Sequence, residues 1–375
     1  MALAVCVAAA ASLSAWAEDV PIFITIGQSN ADGSAFCDAD EDARMDAWFS
    51  SDQNPQTMKM WYRSTQLQFP STNDRGERPR WATDGAITDA QPGWMDLWWR
   101  NDQRNGRTAM NVTHADGTYS EAAQMRRGME PSFGMNFVKK FPGSELYMLK
   151  LGISGSMISA WASEGDNVNW TYFFNNIYKP AVTDLIAQGK RPVLAGVWWM
   201  QGCGDNARPE EYYEENLREL VRRCQEDLGF PGGKVYVGHV VKPGEAKDFA
   251  GASTQFGEGV RAAQDKVASD TPGVEIIDTS DLSFQYERNL GGYLHYDAKG
   301  VNKLGEKLAN RVAQAGPMTW VPYSTPGRWH QSGDGVIFIP SIGQPKITYT
   351  RNGDTVTATL TYPTWTETKT YKLKS

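Results

Sequence analysis

Apolar residues gather into five short runs, at 20–26, 145–151, 193–199, 234–240 and 274–278, each rich in β-branched or aromatic side chains and long enough for a buried strand. Between and after these runs, apolar positions recur at helical spacing: at 131–141, near 170–189, near 209–228, near 252–269 and at 298–315. Strand–helix alternation of this kind predicts right-handed crossovers and one mainly parallel sheet covered on both faces, a three-layer α/β/α fold with five strands. All five strands then end on one edge, where open α/β proteins hold their ligands. The pattern lapses over about 31–128, a polar stretch carrying Trp48, Trp61, Trp81, Trp94, Trp98 and Trp99, which is expected to be an insertion above the strand ends. Its tryptophans suit either sugar stacking or a small core of the insertion's own. Beyond Pro317, period-two alternation returns at 336–339, 346–349, 355–361 and 369–373, with Asn352-Gly353 as a hairpin signal. The expected division is therefore a leader at 1–17, an α/β domain at 18–316 and a small antiparallel β appendage at 317–375.

Composition narrows the function. A chain of 375 residues, 41% hydrophobic, can bury a full core. Net charge of −7 and the absence of a Lys/Arg-rich run argue against nucleic acid and anionic membrane surfaces as partners. Residues 1–17 form an apolar run that ends in Ala15-Trp16-Ala17, the small-x-small pattern of a signal-peptidase site, although the basic n-region is missing. No other window approaches the length of a membrane span. The expectation is a secreted or periplasmic protein that starts near Glu18. Cys37, Cys203 and Cys224 remain after such cleavage, an odd number, so a disulfide framework is not what holds the fold, and the sequence does not choose a pair among the three. The four histidines, His114, His239, His295 and His330, are scattered, and no C-x-x-C spacing occurs, so neither a metal nor another cofactor is expected.

Chemistry-bearing residues cluster at the strand ends. The first strand runs into Gly27-Gln-Ser-Asn30, the second into Leu151-Gly-Ile-Ser-Gly-Ser-Met157, and the third into Trp199-Met-Gln-Gly-Cys-Gly-Asp205. After the fifth comes Leu294-His-Tyr-Asp-Ala-Lys-Gly300. One edge thus offers a hydroxyl, an imidazole and a small-residue loop whose N–H groups could receive an anion. Acyl transfer needs a nucleophile, a base and oxyanion donors.

Together with Gly128-Met-Glu-Pro-Ser-Phe-Gly134, these blocks resemble the GQSN-type SGNH hydrolases, carbohydrate esterases that include sialate O-acetylesterases and acetylxylan esterases. The resemblance spans about 20–315 and implies a flavodoxin-like SGNH hydrolase fold. It implies Ser29 as nucleophile and His295 as general base, with the N–H groups of Ser29 and Gly155 and the Gln201 amide as oxyanion hole. Gln28 and Asn30 are expected to contact substrate, an acetylated carbohydrate. The orienting acid departs from the family's pattern: Gly292 stands three residues before His295, and Cys203 follows the Gln-Gly pair, where acids are common. Asp205 is the expected substitute, ahead of Glu287 and Asp297; a backbone carbonyl is another way to hold the imidazole. These departures motivate a second reading, an SGNH-fold glycan-binding protein with weak or no catalysis.

Overall fold

The computed structural model describes residues 18–36, 38–62, 93–97, 126–153, 155–163, 167–240, 257–287, 292–316, 320–323, 328–332, 335–339, 346–352, 355–361 and 366–372. The expected leader, Cys37, Ser154, Trp81, Trp98 and Trp99 lie outside them. The chain opens with strand β1 (Glu18–Gly27), the single helical turn α1 (Ser29–Asp32), the two-residue strand β2 (Ala35–Phe36) and helix α2 (Ala39–Phe49). Strands β3 (Met58–Tyr62), β4 (Gly93–Asp96) and β5 (Arg126–Arg127) precede helix α3 (Glu130–Lys140) and strand β6 (Leu146–Gly152). Helices α4 (Ser159–Ala162), α5 (Val168–Phe173) and α6 (Lys179–Ala187) follow, the last two joined through a π-helical turn at Phe174–Tyr178. Strand β7 (Lys190–Met200) leads through a 3-10 turn, Cys203–Asp205, to helix α7 (Glu210–Arg222) and strand β8 (Val235–Gly238). Helix α8 (Glu258–Asp270), strands β9 (Val274–Ile277), β10 (Phe284–Glu287) and β11 (Gly292–Tyr296), and helix α9 (Ala298–Ala315) complete this part.

The five expected strands are β1, β6, β7, β8 and β9, mutually parallel in the order β6-β1-β7-β8-β9. Numbered by sequence that order is 2-1-3-4-5, which reverses direction at the first strand and opens a crevice beyond its carboxyl end. The sheet is larger than the five strands expected. β3 adds parallel to β6, β4 adds antiparallel to β3, and a two-residue strand β12 (Val321–Pro322) pairs with β7, which makes eight. Part of the insertion is thus built into the sheet rather than set above it. The signal was weak because Lys59, Gly93 and Asp96 break up the apolar residues of β3 and β4, with Lys59 paired to Asp96 on the outer pair. Trp61, 8% exposed, packs edge-on against Trp94 at 5.2 Å, and Trp94 against Tyr147 at 4.7 Å, so these tryptophans serve as core.

β1 alternates between the two faces. Ile22, Ile24 and Ile26 join Trp161, Tyr172, Tyr213 and Leu217 on one side. Phe23 joins Phe133, Met148, Trp198, Leu304 and Leu308 on the other. Burial on both faces explains why the strand reads as one continuous apolar run. After α9, strands β13 (Arg328–Ser332) and β14 (Gly335–Ile339) pair antiparallel. Strands β15 (Lys346–Asn352), β16 (Thr355–Thr361) and β17 (Thr366–Lys372) form a three-stranded antiparallel sheet whose Asn352↔Thr355 register matches the hairpin expected there.

Candidate active site

Register sets the level of the site. Gly27 pairs with Gly152 of β6 on one side and with Met200 of β7 on the other, so the chain leaves all three strands at the same height. Gly27 turns there with φ 141°, and a Cβ on it would stand 2.2 Å from the Met200 carbonyl oxygen. At Gly152 a Cβ would meet the Asp32 N, Cα and Cβ atoms at 2.3 Å. Glycine at both positions lets α1 settle between the two strand ends. Gln28 N–H donates to Met200 O at 2.9 Å, and Ile153 N–H to Gly27 O at 2.8 Å, which closes the turn against its neighbours. Ser29 begins α1 with 5% of its surface exposed.

Asn30 carries His295 to this turn. Its Nδ2 donates to Leu294 O at 3.2 Å, and its Oδ1 accepts from Tyr296 N–H at 3.2 Å. A carboxamide paired in this way acts like one residue of a neighbouring strand, bonded to the backbone on both sides of His295. The residue next to Ser29 therefore fixes the imidazole's main chain from 264 and 266 positions away in sequence. His295 itself lies on β11, paired antiparallel with β10 and ending just before α9. Tyr296 is fully buried and its hydroxyl reaches Met200 Sδ at 3.8 Å, a second link to the end of β7.

The third strand end is bound to the same turn by Gln28, whose Oε1 accepts from the N–H groups of Gly202 and Gly204, both at 3.3 Å. Gly155, after β6, is exposed, has φ 76° and faces open space. Among the described residues, neither Ser29 N–H nor Gly155 N–H donates to another backbone carbonyl. Ser29 and Gly155 thus follow two strand ends that stand at one level of the sheet.

The family described as "Carbohydrate esterase, sialic acid-specific acetylesterase" matches residues 19–314. The chain belongs to this family of carbohydrate esterases. Among solved structures, the esterase is similar to a protein of Arabidopsis thaliana at 15% identity and a TM-score of 0.48, over 78% of this chain and 98% of that one. It is similar also to a carbohydrate acetylesterase of Xanthomonas citri at 15% identity and a TM-score of 0.43, over 91% of this chain and 63% of that one. No curated protein matches it.

Several expected site residues of the esterase have other engagements. Gln201 is fully buried, and its Nε2 donates to Ser156 O at 3.0 Å and to Asp205 Oδ2 at 2.6 Å. Both amide hydrogens are taken up, so this arrangement leaves the third expected oxyanion donor nothing to offer a substrate. Asp205 Oδ2 also accepts from Ile158 N–H at 2.8 Å. Gln28 and Asn30, expected to touch substrate, are 2% and 3% exposed; the Gln28 Oε1 and both ends of the Asn30 amide are bonded to the flanking loops. Asp297 caps α9, its Oδ1 accepting from Gly300 N–H at 2.7 Å and Ser283 Oγ at 2.5 Å. The Glu287 side chain is outside the described residues. Cys203 and Cys224 are buried thiols, and burial pushes the Cys224 thiol well above its usual range.

Two residues of the esterase escaped the sequence reading. Tyr213 of α7, fully buried, directs its hydroxyl at Gln201 O and Gln201 Oε1, each at 3.0 Å, and receives Trp199 Nε1–H at 3.4 Å. Burial raises the phenol above its ordinary range, which keeps it protonated as a donor. Gln264 of α8 donates to Gly238 O at 3.1 Å and Gln201 O at 3.4 Å. Both read in sequence as ordinary helix positions; no motif marks a buttress. Among the described residues no group of three or more His, Cys, Asp or Glu could hold a metal, and no helix is long and apolar enough to cross a membrane.

Proposed function

We propose that the chain hydrolyses acetyl esters on carbohydrate by a serine acyl-enzyme mechanism, with O-acetylated sialic acid as the first substrate to try because the family's description names it. The observation that carries this reading is the double hydrogen bond from Asn30 to the backbone on both sides of His295. Ser29 Oγ attacks the acetyl carbonyl while His295 takes its proton. The tetrahedral oxyanion rests on the N–H groups of Ser29 and Gly155. Its collapse breaks the ester C–O bond, and the sugar oxygen leaves with the proton from His295. Water then adds to the acetyl-serine, giving its proton to His295; acetate departs and Ser29 recovers its hydroxyl. Gln28, Asn30 and Gln201 position this machinery.

Ser29→Ala should abolish turnover of an acetylated chromogenic ester in a protein that melts like wild type. Retained turnover refutes the assignment. The second reading, a glycan-binding protein with silent catalysis, is favoured by Gly292 and Cys203 at positions where an orienting acid is usual. Saturable glycan binding without any ester hydrolysis would establish it. We further propose that the protein is exported, on the strength of the apolar run and the Ala15-Trp16-Ala17 site. N-terminal sequencing of protein from the native source should begin near Glu18.

A further inference from the structure

We infer that Gln285 is a positioning residue for His295, closing a hydrogen-bonded ring that contains both members of the reacting pair. This rests on the acyl-enzyme reading above. Gln285 is buried on β10, and its side-chain amide bonds the chain just after α1. Its Nε2 donates to Ser34 O at 2.9 Å, and its Oε1 accepts from Phe36 N–H at 2.7 Å. Asn30 makes the same pattern on β11, where its amide takes Leu294 O and Tyr296 N–H. The two carboxamides therefore reach in opposite directions, one from the serine turn to the histidine hairpin and one from the hairpin back to the segment after the turn.

The ladder between β10 and β11 is irregular at this very position. Phe284 pairs with Tyr296 and Tyr286 with Tyr293, so Gln285 on one strand faces two residues on the other, Leu294 and His295. Two residues against one make a β-bulge, which interrupts the ladder, bends the bulged strand and re-aims its side chains. The hairpin that carries this distortion is clamped twice: Asn30 bonds the bulged strand, and Gln285 bonds the opposing strand to β2. Ser34 Oγ donates in turn to Ser29 O at 3.0 Å, which completes a circuit from Ser29 through Asn30, β11, β10, Gln285 and Ser34. A general base must stand within hydrogen-bond reach of the proton it takes, so a small shift of the hairpin slows proton transfer more than it weakens ester binding. Gln285 thus acts on the reaction through His295, without touching the reacting atoms.

The test is a double-mutant cycle on the full chain: wild type, Gln285→Ala, His295→Gln and the two changes together, each with 4-nitrophenyl acetate hydrolysis and a melting curve. Gln285→Ala should lower kcat by about 10- to 100-fold with KM little changed, the scale of a reacting group displaced by about 1 Å. Because the amide acts through the imidazole, the same change made in the His295→Gln background should cost less than about 3-fold. A merely structural role would not depend on the histidine. An equal loss in both backgrounds therefore overturns the inference, as does Gln285→Ala with wild-type kcat. Should the alanine variant fail to fold, Gln285→Met, which keeps the length of the side chain and gives up both bonds, goes through the same cycle under the same two criteria. Ser29→Ala reports separately on the nucleophile: turnover surviving in it sinks the acyl-enzyme reading, whatever the Gln285 cycle shows.

Discussion

Asn30 accepts the Tyr296 N–H at 3.2 Å and donates to the carbonyl on the other side of His295, so the serine turn and the histidine strand are one hydrogen-bonded unit. Removing the amide leaves β11 to hold the imidazole without its partner. Each lost bond is worth about 0.5–1.5 kcal/mol, and Asn30→Ala should lower kcat on an acetyl ester by roughly 10- to 100-fold. Asn30→Asp keeps the acceptor but sets an oxygen against Leu294 O, and should fall at least as far. Steady-state kinetics on both variants decide; wild-type rates in either would mean that β11 finds its place unaided.

The approach of Asp32 to Gly152 tests the wedge that seats α1. A methyl at 152 would lie 2.3 Å from main-chain atoms of Asp32, which cannot yield without moving the turn that begins at Ser29. Overpacking of this kind costs about 1–3 kcal/mol, and a displacement of about 1 Å at a reacting group costs about 10² in rate. Gly152→Ala should therefore lose activity out of proportion to its loss of thermal stability. Equal melting temperature together with equal turnover would contradict the close fit.

Tyr213→Phe removes one oxygen from a site with no exposure and leaves Gln201 Oε1 and Trp199 Nε1 without this partner. Buried groups stranded in this way cost about 1–3 kcal/mol. Urea unfolding should show a loss of that size with an unchanged m-value, accompanied by slower ester hydrolysis. No change in either would remove Tyr213 from the support of the site.

Acid should weaken the far edge of the sheet. Burial pushes the Glu275 carboxyl up, but its bonds to Lys234 at 2.6 Å and Arg311 at 2.5 Å outweigh that and hold it below the ordinary range. A carboxylate lower in the folded than in the unfolded state adds stability above the unfolded value, near pH 4, and loses it as pH falls through the depressed folded value. Glu275→Gln should thus melt lower than wild type at pH 7, by no more than about 1 kcal/mol because the partners are partly exposed. The gap should close at the acid end of a pH series, and a gap that widens there would reverse the sign.

Much of the fold was legible because burial on both faces writes itself as unbroken apolar runs. β1, β6, β7 and β8 announced themselves this way, β9 did so through Val274, Ile276 and Ile277 around a half-buried Glu275, and α9 matched its expected bounds because Gly316 follows the last periodic residue. β3, β4 and the β10–β11 pair did not: each is short and mixes polar side chains or glycine among its apolar ones, so no unbroken run marks it. Ser29 and His295 were legible as strand-end residues within family blocks. What was illegible is which amide faces which backbone. Gln28, Asn30 and Gln201 read as groups facing a substrate; folding also bonds the Gln28 oxygen to Gly202, the Asn30 amide to Leu294 and the Gln201 amide to Ser156. Side-chain partners hundreds of positions apart leave no periodic trace.

Covalent trapping of the nucleophile probes the shared rim most directly. The protein is treated with an organophosphorus fluoride and mapped by peptide mass, as wild type and as His295→Gln. One adduct on the peptide that contains Ser29, formed fast in wild type and suppressed by the histidine change, is the expected result. An adduct on another serine, or labelling of Ser29 that proceeds equally well without the imidazole, would contradict the pairing of these two residues.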